Sequence, residues 1–463
     1  MAERLDAADA WFLYLENPSV HLHVTGVLLL DPTGVDDFSF ALVRRHVLER
    51  LDRLPALRLR LAEVPLGIDH PEFVRDPDFD LDHHLRAHRL PKRGSMADLG
   101  AFVGRFASQQ LDRSRPLWEM VHVDGLAGGR TALVMKLHHC LVDGVTGVEI
   151  MADLLDPDPV SAPPAPGPPW EAEALPSSTR VVTDAVLHRL ATPLRPARAA
   201  VGTASALARV AGTSVGRRVR GDQTLARPLD APRTIFNGSL TPRRSVAFGQ
   251  LSLDEVKAVR HRFGTTVNDV VLAAVTHGVR GYLAARDDLP DRPLVCSVPV
   301  SVHRGGANTA NQVSNMFVHL PVQLADPVER LRAIHEGAVG AKEMQGAVGT
   351  HVIADVVELV PPWLFHRAAR LWSDARLAER LPPVHNIVVS NVPGSPVPLY
   401  FAGARLDGVY PFGPLMEGAA VNITVLSNVA DMDVGIIACP DLVPRLGELM
   451  AGIVKGVDVL LAA

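Results

Sequence analysis

The stretch Arg130-Thr131-Ala132-Leu133-Val134-Met135-Lys136-Leu137-His138-His139-Cys140-Leu141-Val142-Asp143-Gly144 decides how this chain is read. Arg130 to Leu137 is rich in aliphatic and β-branched residues and predicts a strand. Val145 to Leu155 returns to a helical period, so the two histidines sit at a strand-to-helix turn, where polar side chains can face a cleft. Neighbours on an extended backbone point to opposite sides, so only one of His138 and His139 can meet a substrate while the other packs or supports the turn. Imidazole has the unperturbed pKa nearest neutral pH, which suits a general base. We assign that role to His139. Asp143 is close enough to orient the turn through an ion pair or backbone bonds, and Gly144 permits a tight passage into the helix.

The four fixed letters of His-His-x-x-x-Asp-Gly arise by chance with a probability on the order of a few per thousand in a chain of this composition, so the spacing carries weight. The plain rival is a pair of ordinary, satisfied histidines. A second doublet, His83-His84, follows Phe79-Asp80-Leu81-Asp82, lacks Asp-Gly at the matching offset and is read as structural or solvated. A metal site at His138, His139 and Asp143 is disfavoured, because adjacent strand histidines diverge and no distant ligand cluster accompanies them. Neither a metal nor a prosthetic group is expected.

Outward from this segment the chain divides. Its 463 residues exceed what one core supports. Val24 to Leu30 reads as a strand closed by the turn Asp31-Pro32-Thr33-Gly34, and Phe38 to Leu51 as a helix. Prolines crowd between Asp156 and Pro176 (Pro157, Pro159, Pro163, Pro164, Pro166, Pro168, Pro169) and exclude helix interior and central strand. From Arg180 to Arg244 there are twelve Arg, no Lys and three Asp, a locally basic connector. The pattern then restarts. Ser245 to Leu251 predicts a strand, Ser252-Leu253-Asp254-Glu255 a helix start, and Val267-Asn268-Asp269 precedes an apolar helix that runs to about Ala284. Pro293 to Val302 and Asn386 to Asn391 read as buried strands, and Ala419 to Ser427 with Met432 to Ala438 as an antiparallel pair. The expectation is an α/β fold with mixed sheets: an N-terminal domain over 1–155, a connector over 156–244 and a C-terminal domain over 245–463.

Composition narrows the function classes. With 47% hydrophobic and 21% charged residues the chain is that of a soluble globular protein, and a net charge of -5 argues against a nucleic-acid partner. Cys140, Cys296 and Cys439 are isolated, which excludes a disulfide framework and fits a reducing cytoplasm. The start Met1-Ala2-Glu3-Arg4-Leu5-Asp6 lacks the basic beginning of a signal peptide, and no apolar run approaches a membrane span.

Six motifs together resemble the bacterial wax ester synthase/acyl-CoA:diacylglycerol acyltransferases, within the superfamily of CoA-dependent acyltransferases. They are Leu5 to Glu16 (LDAADAWFLYLE), Arg115-Pro116-Leu117-Trp118-Glu119, the His-His segment, Thr266 to Ala273 (TVNDVVLA), Ser390-Asn391-Val392-Pro393-Gly394 and Asn422-Ile423-Thr424-Val425. The resemblance runs nearly end to end. It implies two chloramphenicol-acetyltransferase-like domains with a tunnel between them, in which the second motif histidine, here His139, deprotonates an acceptor hydroxyl. That hydroxyl then attacks the thioester of acyl-CoA directly. The implied acceptors are diacylglycerol, giving triacylglycerol, and long-chain alcohols, giving wax esters.

Cys140 stands where the family usually has a small residue, which raises a nucleophilic thiol as a rival to direct attack. Asn268 and Asp269 are residues favoured at helix N-caps, and that alone explains them. If functional, the Asn268 amide or nearby backbone N–H groups stabilise the oxyanion. Pro116, Leu117 and Trp118, with Ser390, Asn391 and Gly394, carry no proton chemistry and are expected to pack or line the tunnel, the latter three bordering the CoA path. The arginine-rich segment reads either as a solvated helical linker or as an interfacial helix on anionic lipid. The second reading implies peripheral attachment to the inner face of the cell membrane or to a lipid droplet. Two other functions share the motifs: acylation of a specialised alcohol or amine, and a catalytically silent lipid-binding protein of the same fold.

Overall fold

A computed structural model describes residues 3–141, 144–161, 165, 167, 170–191, 226, 229–301, 313–348 and 361–463. Two six-stranded mixed sheets carry the fold. The first runs in the order Tyr400–Phe401, Ala404–Phe412, His23–Asp31, Thr131–His138, Trp118–Leu126, Leu85–Gly94. All eight residues of Thr131–His138 are buried, because the strand lies inside the sheet with both faces covered. The two histidines therefore leave the middle of a sheet rather than its edge. The predicted strand over Val24–Leu30 is His23–Asp31, antiparallel to Thr131–His138 with His23 opposite His138.

The second sheet runs Val313–Leu320, Leu294–Ser301, Ile387–Val392, Val421–Asn428, Asp431–Ala438, Ser245–Ser252. Its terminal pair matches the antiparallel reading, with Val421 opposite Ala438. Val267–Ala284 and Leu446–Ala462 pack on each other and on this sheet, and their buried sides merge with Val27, Val134, Ile423 and Ile436 into one core. Each such side chain contributes roughly 1.5–3 kcal/mol of burial.

One element departs from the expected halves. Tyr400–Phe401 and Ala404–Phe412 lie in the 245–463 portion by sequence, yet Ala404–Phe412 pairs antiparallel with His23–Asp31 and completes the first sheet. By sequence this strand belongs to the C-terminal portion, and by pairing to the first sheet. The physical reason is edge protection: the pair covers backbone groups that His23–Asp31 would otherwise expose.

The crossing strand is held from the second sheet. Asp433 Oδ2 accepts from the Val409 N–H at 2.7 Å and from Asn428 Nδ2 at 3.2 Å, while Gln250 Nε2 donates to Oδ1 at 3.0 Å. Burial pushes this carboxyl up to about 6. Beside it, Gly435 lies so near the Pro411 carbonyl oxygen that any β-carbon would fall deep inside van der Waals contact.

The connector is laid against the N-terminal half. Arg50 Nη2 holds Asp156 at 2.7 Å, and Val181 and Ala185 of the helix Ser178–Ala191 pack on Val64. His188 and Arg189 meet the buried Asp69 at 2.6 and 2.9 Å. At the far end the buried Arg244 donates to the Ser19 and Thr241 carbonyls, each at 2.5 Å. Most of the arginine-rich stretch, 192–225, lies outside the described residues.

We expect Gly435→Ala to destabilise the protein by about 1–3 kcal/mol, because backbone rather than a flexible side chain must move. Chemical denaturation checks this, and an unchanged midpoint would show that the sheets do not meet as described.

Candidate active site

His138 ends its strand, and its position is set from three sides. Its N–H donates to the Leu117 carbonyl at 2.9 Å, and its Nδ1 accepts from the Cys140 N–H at 3.2 Å. The ring proton is thereby placed on Nε2, which faces Glu16 Oε2 at 3.7 Å. Burial, with Arg113 and His139 nearby, pushes the imidazole well below its usual value. His138 is a sealed, neutral ring.

His139 has the opposite environment. Its N–H donates to the Leu22 carbonyl at 3.0 Å, which continues the pairing with His23–Asp31 by one residue. Its ring stacks on Phe12 with centroids 4.0 Å apart and planes 18° apart, and it is only half-buried. Phe12 projects from the helix Ala7–Leu15, which starts at Asp6 with its carboxylate on the Asp9 N–H. Of the two histidines, His139 is the more exposed.

Beneath the doublet lies a charged cluster. Glu16, just past that helix, is buried and takes Arg113 Nη2 at 2.5 Å, Arg113 Nε at 2.9 Å and Gln110 Nε2 at 3.4 Å. His23 Nε2 approaches its other oxygen at 3.9 Å. Burial raises the Glu16 carboxyl, and Arg113 opposes that shift. A carboxylate so enclosed persists as an ion only with such a partner. Glu16 was visible only as the last letter of the first motif, and Arg113 and His23 were not singled out. The available signal was an acid closing an apolar helix, with an arginine two residues before Arg115-Pro116-Leu117-Trp118.

The remaining candidates sort by location. Asp143 lies outside the described residues, and Gly144 is the first residue of the helix Gly144–Leu154. Leu117 and Trp118 are core side chains, Trp118 donating from its indole to the Leu57 carbonyl at 2.6 Å. Packing is the role this supports for both. Pro116 borders a cleft of about 120 Å³ with Trp118 and His84. In the second doublet, His84 is buried, stacks on Trp118 and bonds the Trp118 carbonyl at 2.8 Å, while His83 is exposed beside Asp80. One is structural and the other solvated.

Asp269 closes a capping box with Thr266 at the start of Val267–Ala284 and holds His335 Nδ1 at 2.7 Å. Its carboxylate is thus committed to architecture, while Asn268 is half-buried on the same first turn. Ser390 and Asn391 lie on Ile387–Val392, parallel to Val421–Asn428 with Ser390 opposite Thr424. Gly394 follows, its N–H on Ser427 Oγ at 2.8 Å, and a β-carbon there would collide with the Ser427 carbonyl. Cys140 is buried, and burial pushes its thiol well above the ordinary range. A thiol in that state is a poor nucleophile.

Two mixed sheets with a half-buried histidine at the end of a central strand define an acyltransferase of the His-His-x-x-x-Asp-Gly type. Sequence models of the wax ester synthase/diacylglycerol acyltransferase catalytic domain and of its C-terminal domain match residues 5–271 and 309–460. The chain belongs to that family. A Mycobacterium tuberculosis (strain CDC 1551) protein named as a diacylglycerol O-acyltransferase is 36% identical over 465 residues, covering 99% of this chain and 90% of its own. A Mycobacterium bovis (strain AF2122/97) relative of the same name is 33% identical, with 96% and 95% covered. The solved wax ester synthase/diacylglycerol acyltransferase of Marinobacter aquaeolei VT8 superposes with a TM-score of 0.71 at 28% identity, over 99% of both chains. The starter condensation domain of rhizomide synthetase, solved with C8-CoA, shares the fold at a TM-score of 0.54 and 13% identity, over 99% of this chain and 94% of its own.

Replacing Arg113 by Ala leaves Glu16 as an uncompensated buried charge, a change that costs about 3–5 kcal/mol in comparable pairs. Arg113 lowers the Glu16 pKa, so its loss raises a folded-state value that burial already holds above 4.5. A raised carboxyl pKa stabilises the fold fully only below the unfolded value, and that contribution is lost as pH rises through the folded value. The stability gap between Arg113→Ala and wild type should therefore widen from pH 5 to pH 8, read by denaturation at both. A gap independent of pH would show that Glu16 is not the group left stranded.

Proposed function

We propose that this chain transfers a long-chain acyl group from acyl-CoA to the hydroxyl of diacylglycerol, with long-chain alcohols as second acceptors, and that His139 is its general base. The observation that carries the reading is the contrast within the doublet: His138 is sealed and neutral, whereas His139 is half-buried and stacked on Phe12. Family membership supplies the substrate class.

The chemistry follows from that geometry. His139 takes the acceptor's proton as its oxygen forms a C–O bond with the thioester carbonyl carbon. The tetrahedral intermediate collapses with loss of the C–S bond, and the imidazolium returns the proton to the departing CoA sulfur. Atoms and charges balance without a covalent enzyme intermediate, and the raised thiol of Cys140 supports that direct route. Asn268, on the first turn of Val267–Ala284, is assigned as a donor to the oxyanion, where the helix N-terminus adds its own positive field. Ser390, Asn391 and Gly394 are assigned to the CoA side, and Asp143 to orienting the turn. No cofactor enters any step.

Both acceptors dissolve in lipid rather than in water, so we place the enzyme at the cytoplasmic face of the membrane or on a lipid droplet. No helix of the described residues is long and apolar enough to cross a membrane.

Incubation with palmitoyl-CoA and mixed acceptors, followed by lipid mass spectrometry, should yield triacylglycerol, with wax ester when an alcohol is supplied. His139→Ala should lower kcat by about 10²- to 10⁴-fold without unfolding, and Cys140→Ser should stay within about a factor of a few of wild type. An active His139→Ala protein, or acyl-Cys140 detected by intact mass, would overturn the mechanism.

A further inference from the structure

The helix Pro362–Asp374 is built inside out. Its inward side is Phe365, His366, Ala369 and Ser373, all half-buried. Its outward side carries Leu364, Ala368, Leu371 and Trp372, spaced i, i+4, i+7 and i+8, which is the apolar stripe that a helix of a globular protein normally turns to the core. Here Leu371 is 65% exposed, Leu364 44% and Trp372 39%. Trp363, 49% exposed, sits against the turn Pro65–Gly67, whose Leu66 is 84% exposed and extends the patch. An aliphatic and tryptophan surface of this size is unusual on a protein that meets only water.

Charge identifies what covers it. Arg367 and Arg370 are exposed beside the stripe, and Arg376 and Arg380 follow, against Asp374 and Glu379. Apolar side chains with tryptophan, rimmed by arginine, fit the boundary between headgroups and acyl chains of an anionic bilayer. A globular protein partner would match the apolar stripe but does not call for the arginines.

We propose that Pro362–Asp374, with Leu66, is the face by which this protein docks on an anionic lipid surface. The inference rests on the acyl-transfer reading for its purpose, since that surface holds the acceptor. The inward side of the helix packs on Ala7–Leu15: Trp11 and Phe365 stand 5.1 Å apart edge to face, and His366 meets Tyr14 at 5.3 Å. Phe12 of that same helix stacks on His139. The docked face is therefore one helix removed from the base, and lipid acceptors leaving the bilayer there have a short way to travel.

The test is flotation of the purified full chain with phosphatidylcholine vesicles, with and without phosphatidylglycerol. Wild type should float, more strongly with phosphatidylglycerol and less so in high salt. Leu371→Glu/Trp372→Glu should weaken flotation at least about tenfold, and Arg367→Glu/Arg370→Glu should remove the preference for phosphatidylglycerol. Both variants alter exposed residues, and CoA release with a water-soluble short-chain alcohol should be unchanged, whereas triacylglycerol formation from vesicle-borne diacylglycerol falls. Equal flotation of the first variant overturns the proposal, as does a wild-type dimer in sedimentation that the variant converts to monomer. Flotation is read without substrate, so its result stands whatever the acyl-transfer assay gives.

Discussion

The carboxylate of Glu16 is enclosed by protein, and an enclosed charge has to be matched. Arg113 matches it with two short bonds from one guanidinium, and Gln110 adds a third donor. These groups come from distant parts of the chain: the end of the first helix and the loop before Trp118–Leu126. They come together because leaving either charge alone in a low-dielectric interior costs several kcal/mol. The cluster is thus a constraint on geometry. Glu16 receives the Nε2 side of His138 while the Cys140 N–H and the Leu117 carbonyl hold its other groups, so the ring has one orientation and one tautomer. His139 inherits its direction from that arrangement: with its neighbour locked inward and its own N–H on Leu22, its ring is turned to Phe12 and the partly open side.

The exchange of strands serves the same end at larger scale. The crossing strand ties the two sheets to each other. Ala404–Phe412 lies in the first sheet with Tyr400–Phe401, while Ile387–Val392 before them and Val421–Asn428 after them belong to the second. Asp433 grips the Val409 backbone across the gap, and Gly435 lets Pro411 come close. Two separate domains joined by a flexible connector would leave the distance between them to chance. Shared strands remove that freedom.

The inverted helix fits a protein whose substrates divide between two phases. The CoA moiety is charged and soluble, whereas diacylglycerol stays in lipid. A helix that turns its aliphatic stripe and its arginines outward while Phe365 and His366 pack on Trp11 and Tyr14 has the polarity expected where protein meets a bilayer. Its contact with Ala7–Leu15 brings that boundary near the element bearing Phe12, so one short helix touches both the docking helix and His139.

Local features were legible in the sequence because local forces produce them. The antiparallel pair Val421–Asn428 and Asp431–Ala438 follows from β-branched alternation about a tight turn, whereas the helix expected after Asn268 and Asp269 starts earlier, with Thr266 as its N-cap and Asp269 closing the capping box. The strand, turn and helix around His138 and His139 were legible for the same reason, as was the divergence of the two rings, which an extended backbone imposes on any neighbours. Sequence alone thereby determined the secondary structure about the motif and the family. Three features were decided only in the tertiary structure. Arg113 pairs with Glu16 across 97 positions, Ala404–Phe412 joins the sheet of the other half, and Leu364, Leu371 and Trp372 face outward although their spacing reads as core. No periodicity betrays the first two, and for the third it points the wrong way. Each depends on which surfaces become buried once the chain closes on itself, and the desolvation of a charge or the covering of a strand edge exists only in the assembled fold.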